Sequence, residues 1–246
     1  MSHIPRIYVP DACANSTARV TRDVGHHLIR VLRLREGSPL QVFDGTGREY
    51  MALLRHDGTH ASVDIEGLRR TEERPSLPIH LFVAISRHTR MEWALEKAVE
   101  LGTSAIHPML SERSRVRLDE RRAERKLDHW QSIVVSATAQ SGRCWLAELK
   151  PPRPLPRLWK EDFDGLKLIL HPDASRGLAD LARPRKQLAL LVGPESGFSP
   201  TELSDAEASG WLPVRLGSHI LRAETAGPAA VAAIQALWGN WSRVSD

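Results

Sequence analysis

A short loop in the C-terminal part of the chain has the residue types of a small-ligand site. The loop from Gly193 to Gly197 (GPESG) directly follows an apolar run, residues 188–192, of the length of a strand buried on both faces. Its glycines allow backbone conformations closed to other residues. Ser199 then fits a helix N-cap, and Glu202 completes a capping box. Free backbone N–H and C=O groups at such a strand–loop–helix junction can hold a nucleotide-like ligand.

The same order of features is repeated further along the chain. Residues 213–217 are predicted to form another short strand, residues 219–225 a loop, and residues 225–228 the start of the final helix. The carboxyl ends of parallel strands lie at one edge of a sheet, so we expect the two loops side by side. The sequence therefore predicts one ligand site built from two loops.

Arginines are concentrated in two other parts of the chain. Seven Arg or Lys stand against three acidic residues between Arg113 and Lys126. Ion pairs between residues four apart on a solvated helix explain the acidic residues and the basic residues next to them. They do not explain Arg113, Arg115 and Arg117, which precede the acids; contact with an anion is the preferred interpretation for these three. The second group surrounds a predicted short helix and fits either a phosphate-contacting face or a solvated helix surface. It comprises Arg19, Arg22, Arg30, Arg33 and Arg35.

Several common catalytic and binding motifs are missing from the sequence. The loop at Gly193 lacks the Lys-Ser/Thr of a phosphate loop, no GxGxxG opens a helix, and no GxSxG elbow is present. The two cysteines have no CxxC context, and the eleven histidines lack ligand spacing apart from the adjacent His26 and His27, so no metal site is predicted. A nucleoside-like ligand beside a basic surface remains. This combination indicates nucleic-acid modification without naming the reaction.

Length, charge and hydropathy define the broad class of protein. With 246 residues and a formal net charge of +4, the chain is moderately basic and long enough for one large or two modest domains. It has no apolar run of membrane-spanning length, and residues 1–10 lack the features of a signal peptide. We expect a soluble, cytoplasmic protein with no membrane partner.

The elements that must position these residues fall into two predicted domains, 1–72 and 73–246. The first is predicted as a small β-barrel with strands at 40–43, 50–54 and 61–65 and a short helix at 26–34. Residues 71–78 are the predicted linker. In the second, strands at 79–86, 103–110 and 166–170 alternate with helices at 91–101 and 127–139, and a polar loop is predicted at 140–143. This alternation indicates an α/β fold, a mostly parallel sheet with helices on both faces.

Longer segments around the two loops resemble a known family. The stretches GPESGFSPTE (193–202) and LGSHILRAETA (216–226) are similar to the patterns GPEGGFS-x-x-E and LG-x-R-ILR-x-ETA of the RsmE family, a member of the SPOUT class of methyltransferases. Supporting matches run over essentially the whole chain. They lie at residues 4–8, 27 with 30–33, 43–45, 97 with 100–102, 111–114, 140–143 and 170–172.

This resemblance implies a fold, a reaction and a set of site residues. The fold is a SPOUT α/β domain with a deep trefoil knot, preceded by a PUA-like RNA-binding β-barrel, in an obligate homodimer. The reaction is methylation by S-adenosylmethionine of N3 of a uridine in 16S rRNA of the small (30S) ribosomal subunit, without a metal. The implied cofactor-binding residues are Leu170, His171, Gly193, Pro194, Glu195, Gly197, Leu216, Gly217, Ile220, Leu221, Arg222, Thr225 and Ala226. The candidate RNA-binding residues are Arg6, His27, Arg30, Arg33, Arg113, Arg115, Gln140 and Arg143.

Two residues of the second loop are candidates for the chemistry itself. N3 of uridine carries a proton at neutral pH, so negative charge must develop on the uracil as the methyl group is transferred. We assign Arg222 to stabilising that charge. For Glu224 two roles stay open: accepting the N3 proton, or orienting Arg222 through a salt bridge.

The sequence departs from the family pattern at four positions. Ser196 stands where the family has a second glycine, His219 replaces an arginine, and Ala139 replaces a glutamate. Pro228 is unusual in the final helix, although a proline is tolerated in a first turn. These departures leave a non-catalytic RNA-binding or ribosome-assembly protein as the competing hypothesis, which the intact ILR-x-ETA segment disfavours. A third hypothesis, a methyltransferase that acts on a small molecule, does not account for the barrel or for the two groups of arginines.

Overall fold

The computed structural model describes residues 4–57, 60–114 and 119–242, which form two compact units. The first unit comprises Met1–Arg74 and Thr138–Leu146, and the second comprises Pro75–Ala137 and Ala147–Asp246. The chain thus contributes to the first unit twice, whereas the sequence suggested a single boundary between residues 72 and 73. Among the helices of the described ranges, none is both long and apolar enough to cross a bilayer.

The first unit is built on a five-stranded sheet, as predicted for a β-rich N-terminal part. Its spatial order is β1-β3-β4-β5-β2, with β1 and β3 parallel and the other neighbours antiparallel. Apolar side chains of alternate strand positions and Leu28 form its core. The helix predicted at 26–34 is instead a short α-helix followed by one π-helical turn. The strands are β1 (Arg6–Tyr8), β2 (Ser16–Arg19), β3 (Pro39–Phe43), β4 (Arg48–His56) and β5 (Ala61–Thr71); the helices are α1 (Arg22–His26) and the π turn His27–Val31.

A buried carboxylate lies at one end of this sheet. The Glu49 side chain on β4 is fully buried, and Arg6 on β1 places Nη2 2.6 Å from its Oε2 atom. Arg69 and Arg70, on β5, also form ion pairs with Glu49. Burial by itself would raise the pKa of Glu49, but hydrogen bonds from Arg70 and Arg6 hold that pKa below its usual value. These four residues, called here the Glu49 cluster, therefore contain an ionised carboxylate that forms ion pairs with three arginines.

The Glu49 cluster also binds the second segment of the unit, residues 138–146. The Arg6 guanidinium donates to the carbonyl oxygens of Thr138 at 3.2 Å, Ala139 at 2.6 Å and Arg143 at 3.1 Å. The Trp145 indole N–H donates to the Glu72 carbonyl at 2.9 Å. The segment is thus fixed to the sheet by contacts from residues far away in the sequence.

The second unit is built on a parallel sheet, which confirms the predicted α/β class. The spatial order is β12-β10-β11-β6-β7-β8, with β9 also pairing with β7, and every pairing is parallel. Its strands are β6 (Ile79–Ala84), β7 (Ala105–Leu110), β8 (Glu148–Leu149), β9 (Arg153–Pro154), β10 (Leu166–Leu170), β11 (Leu188–Val192) and β12 (Leu212–Val214). The helices of this half of the chain are α2 (His88–Glu100), α3 (Glu120–Ser141), α4 (Pro200–Ala208) and α5 (Ala223–Trp238), with 3-10 turns at Leu155–Lys160, Leu178–Asp180 and Asn240–Ser242.

Helices cover both faces of the parallel sheet. On one face, Phe82 and Leu191 pack with Ala206 of α4 and with Trp211. On the other face, Gly227 of α5 approaches Leu81 and Val192, and α5 packs against α2. Neighbouring residues of one strand therefore point to opposite faces, and both faces are apolar, as expected for a strand buried on both sides.

Three predicted boundaries differ from the structure. Helix α3 begins at Glu120, seven residues before the predicted start, because its charged first turns form a solvated helical surface. It also continues through Gln140 and Ser141, which were predicted to lie in a loop. Helix α5 begins at Ala223, so Pro228 lies in its second turn and has no N–H to give to the carbonyl of Glu224.

Two histidines are packed together inside the second unit. His80 Nδ1 lies 3.3 Å from His107 Nε2, and the His107 ring stacks on Phe82 with 4.1 Å between ring centroids. Burial, reinforced by the neighbouring His80, lowers the pKa of His107 to about 3. Since this pKa lies below the ordinary value near 6.5, the unfolded chain binds a proton that the folded protein excludes.

The stability of the second unit should therefore fall in mild acid. The stabilisation is present above the unfolded-state pKa and is lost as the pH falls towards the folded-state pKa. For one such group we expect the free energy of unfolding to drop by about 2 kcal/mol between pH 6.5 and pH 4.5. Urea unfolding of wild type and His107→Phe at both pH values tests this, with exposed His26→Phe as the control. An equal drop in all three proteins would contradict the assignment.

Candidate active site

A cavity of about 800 Å³ opens at the carboxyl ends of β10, β11 and β12. This size suits a nucleoside-like molecule. The order of the strands reverses between β6 and β11, since β7 lies on one side of β6 and β11 and β10 on the other. Val192 at the end of β11 and Arg90 after β6 bring the cavity to this point, where open α/β sheets bind ligands. The lining comprises residues 170–172, 192–198, 214–216, 219–224 and 226, together with Arg90 and Arg113.

The loop after β11 is shaped by its glycines and by the helix that follows it. Gly197 has φ of 69°, which favours glycine. A Cβ atom on Gly193 would come within 2.8 Å of the Phe198 ring, so only a glycine fits there without displacement. The predicted capping box is confirmed, since Ser199 Oγ accepts from the Glu202 N–H and Glu202 accepts from the Ser199 N–H.

The Glu202 side chain also joins this loop to the end of β7. Its Oε1 atom accepts a hydrogen bond from the Glu112 N–H at 2.7 Å, while Oε2 serves the capping box. Next to this contact, Arg113 Nη1 donates to the Ser196 carbonyl at 3.3 Å, and Ser196 Oγ donates to the Arg113 carbonyl at 3.0 Å. The segments around Arg113 and Ser196 thus form one wall of the cavity.

Two charged residues lie where the second loop meets α5. Arg222 is the N-cap of α5, and its carbonyl accepts the N–H groups of Thr225 and Ala226 while its side chain is exposed. Glu224 lies in the first turn, where the helix dipole favours a carboxylate. The Glu224 Oε2 atom is buried and, within the described parts of the chain, has no hydrogen-bond partner. An unpartnered carboxylate oxygen in a cavity wall is suited to accept a hydrogen bond from a ligand.

The cation paired with Glu224 is Arg90, from the first turn of α2. Arg90 Nε lies 3.6 Å from Glu224 Oε1, and Arg90 also forms an ion pair with Glu195 of the first loop. Among the described residues, Glu224 has no such pair with Arg222, the partner considered from the sequence. Arg90 therefore links the two loops of the cavity. Sequence reasoning missed Arg90, because its ion pairs join α2 to residues more than a hundred positions away.

Nearly all the residues expected to bind a cofactor come together in this cavity. Eleven of the thirteen line it; the exceptions are Gly217 and Thr225, which lie in the second loop and the first turn of α5. The lining also contains two of the family departures, Ser196 and His219. The two predicted loops therefore line the same cavity.

The residues expected to contact RNA are placed in different environments. Arg113 lines the cavity, and His27, Arg30, Arg33 and Gln140 are exposed. Arg33 has φ of 53°, unusual for an arginine. Arg115 lies outside the described residues.

The structure gives two of the RNA candidates a different environment from the one expected. The Arg6 side chain is only 8% exposed and its guanidinium is committed to Glu49 and backbone carbonyls, so Arg6 holds the first unit together. Arg143 is partly buried, and burial lowers its pKa. Sequence alone does not distinguish a buried arginine from an exposed one.

Two family profiles match the chain. An RNA methyltransferase domain matches residues 72–235, more than half of the chain. An RNA methyltransferase PUA domain matches residues 20–66. The first range contains the cavity, and the second contains β3, β4 and the first part of β5.

Relatives match over nearly the full length. A Buchnera aphidicola (subsp. Schizaphis graminum) protein named ribosomal RNA small subunit methyltransferase E is 30% identical, over 97% of this chain and 98% of that protein. The crystal structure of the Neisseria gonorrhoeae protein of the same name, bound to S-adenosyl methionine, has a TM-score of 0.89 at 35% identity, covering 97% of this chain and 100% of that chain. A Legionella pneumophila protein solved in complex with the cofactor SAM has a TM-score of 0.92 at 34% identity, covering 97% and 99%.

Proposed function

Because this chain belongs to the ribosomal RNA small subunit methyltransferase E family, we propose that it methylates N3 of a uridine in 16S rRNA with S-adenosylmethionine as the methyl donor. The observation that carries the proposal is that eleven of the thirteen residues expected to bind the donor line the same cavity. The cavity lies at the ends of parallel strands, where loops present backbone groups to nucleotide-like ligands.

The residues of the cavity fit the donor chemically. Leu170, Phe198 and Leu221 provide apolar lining for a purine ring, and the loop backbone provides hydrogen-bonding groups beside it. The buried Oε2 of Glu224 offers an acceptor for a polar or positively charged group. When bound, S-adenosylmethionine supplies a methyl group on a positively charged sulfur.

The protein's own residues then have two tasks. Arg222, exposed on the cavity wall, stabilises the negative charge that develops on the uracil carbonyls as N3 gives up its proton, for which the Glu224 carboxylate is the candidate acceptor. The Arg90–Glu224 ion pair fixes the end of the second loop, at the first turn of α5, to α2. A fixed loop holds the uridine in line with the methyl donor and away from water. N3 lies on the base-pairing edge, so the target uridine must be unpaired and turned out of its stack.

The remaining parts of the proposal concern RNA and assembly. The exposed His27, Arg30 and Arg33 of the first unit are suited to contact phosphates around the target, and Arg113 is suited to contact them at the cavity. A homodimer, a trefoil knot within residues 73–246 and a cytoplasmic location follow from the family resemblance and belong to the same proposal.

Incubation with labelled S-adenosylmethionine tests the activity directly. We expect the purified protein to methylate unmethylated 16S rRNA or small subunits reconstituted from it, with one methyl group per RNA. Nuclease digestion and mass spectrometry should identify the product as 3-methyluridine. A protein that binds both ligands but forms no product would favour the non-catalytic assembly hypothesis, and methyl transfer to another base or atom would overturn the assignment of N3.

A further inference from the structure

Two loops of the second unit hold each other through a reciprocal pair of hydrogen bonds. Ser196 Oγ donates to the Arg113 carbonyl at 3.0 Å, and the Arg113 side chain donates to the Ser196 carbonyl at 3.3 Å. Any residue at position 196 would accept the bond from the Arg113 side chain, because the acceptor is a backbone oxygen. Only a side chain with a hydrogen-bond donor can supply the bond to the Arg113 carbonyl. We call this pair the Ser196–Arg113 clasp.

The segment that carries Arg113 is also fixed on both sides of the clasp. The Glu112 N–H donates to the buried Glu202 carboxylate at 2.7 Å, and Ser114 Oγ donates to the Ile85 carbonyl at 3.1 Å. The contact to Glu202 reaches α4, the helix that directly follows the Ser196 loop. The segment of residues 112–114 and the loop of residues 193–197 are therefore joined at two points.

The two joined loops face different ligands of the proposed function. The loop of residues 193–197 lines the cavity for the methyl donor, and Arg113 lies at the same wall with an exposed, positively charged side chain suited to an RNA phosphate. The family pattern has glycine at position 196, where this chain has serine. The hydroxyl bond of the clasp is consequently a feature of this chain's own sequence.

We propose that the Ser196 hydroxyl couples donor binding to RNA binding, so that each ligand raises the affinity for the other. The inference rests on the proposed function. When the methyl donor binds, the loop of residues 193–197 becomes ordered, and the clasp passes this order on to the backbone at Arg113. An RNA phosphate bound by Arg113 orders the same loop in return. Ser196 is thus a positioning residue, since it acts through Arg113.

The size of the effect follows from the environment of the bond. Ser196 and Arg113 are both exposed, so the hydroxyl bond competes with water and its contribution is that of an ordinary hydrogen bond. We expect RNA to tighten donor-site binding by about fivefold in the wild-type protein, in the range typical of coupled sites. Linkage requires that the donor-site ligand tighten RNA binding by the same factor.

Calorimetric titration with S-adenosylhomocysteine, which cannot react, measures the coupling. The dissociation constant is determined with and without saturating unmethylated 16S rRNA or small subunits reconstituted from it, whichever binds more tightly. Ser196→Ala removes only the hydroxyl and should bring the fivefold ratio towards one; the ratio, measured within each protein, is the readout, because Ser196 also lines the donor cavity. Ser196→Gly, the family residue, should do the same. The control is Thr201→Ala, an exposed hydroxyl in the first turn of α4, which should keep the wild-type ratio.

The possible results separate this inference from the proposed function. A wild-type ratio of one, or an unchanged ratio in Ser196→Ala, in a protein that still methylates RNA would overturn the coupling and leave the proposed function intact. Failure of the wild-type protein to bind S-adenosylhomocysteine with or without RNA would overturn both. A ratio of dissociation constants that falls towards one in Ser196→Ala and Ser196→Gly but stays near fivefold in Thr201→Ala supports the coupling.

Discussion

Replacing Arg222 by methionine is expected to lower kcat for rRNA methylation by about 100-fold to 1,000-fold, the range seen when one preorganised charge-stabilising donor is removed. The exposed guanidinium lies at the N-cap of α5, on the cavity wall. Its charge is needed mainly when the uracil becomes anionic, so binding of S-adenosylhomocysteine should change by less than about tenfold. Single-turnover methylation and calorimetry measure the two quantities separately.

A second arginine of the same cavity provides a matched control. Arg215 is also exposed and lines the cavity, so Arg215→Met removes the same charge from a neighbouring position. We expect its kcat to stay within a few-fold of wild type, whereas Arg222→Lys should recover part of the lost rate. Equal losses in the Arg222→Met and Arg215→Met proteins would show that the general positive potential, rather than Arg222, supports the reaction.

Replacing Glu49 by glutamine is expected to destabilise the first unit by about 3–5 kcal/mol, the usual result of removing one partner from a buried ion pair. The fully buried Glu49 carboxylate forms ion pairs with Arg6, Arg69 and Arg70, and Arg6 is itself nearly buried. Without the carboxylate, the Arg6 charge would stay buried and unpaired. Hydrogen–deuterium exchange of the β3 and β4 amides reports on this unit alone.

The contribution of Glu49 to the stability of the first unit depends on pH with a defined sign. The folded-state pKa of Glu49 lies below its usual value, so the stabilisation is present above the unfolded-state pKa and is lost as the pH falls through the folded-state pKa. Wild type should therefore lose protection in acid, while Glu49→Gln should show little of this loss. Glu66→Gln, on an exposed position of β5, is the control and should behave as wild type. Unchanged exchange in Glu49→Gln would refute a structural role for the cluster.

Much of the fold was predictable from local patterns. The run at Leu188–Val192 is continuous and apolar because the strand is buried on both faces, and the capping box at Ser199 is a contact between near neighbours. Contacts that join distant segments left no comparable signal. Nothing in the sequence showed that residues 138–146 belong with the N-terminal strands, because this depends on Arg6 reaching three carbonyls more than a hundred residues away.

The candidate site was predictable to the extent that it is made of loops after strands. The glycine loop and the ILR-x-ETA segment were both identified, and they line one cavity. Arg90 was missed because its role depends on reaching Glu195 and Glu224 from another helix. The clasp was missed for the same reason, and the sequence showed Ser196 only as a departure from a glycine position of the family pattern.

The two-part composition of the first unit has a consequence for the order of events during synthesis. The ribosome makes the chain from its N-terminus, so residues 4–57 and 60–74 emerge well before the segment 138–146 that Arg6 binds. At a translation rate of roughly 5–20 residues per second, the missing segment arrives about 4–14 s later. Until then Glu49 and its arginines have no Thr138–Leu146 segment to bind. The first unit, as distinct from its sheet, is therefore completed only after residues 75–137 of the second unit have been translated. Residues 1–74 made alone would lack the three carbonyl oxygens that Arg6 binds.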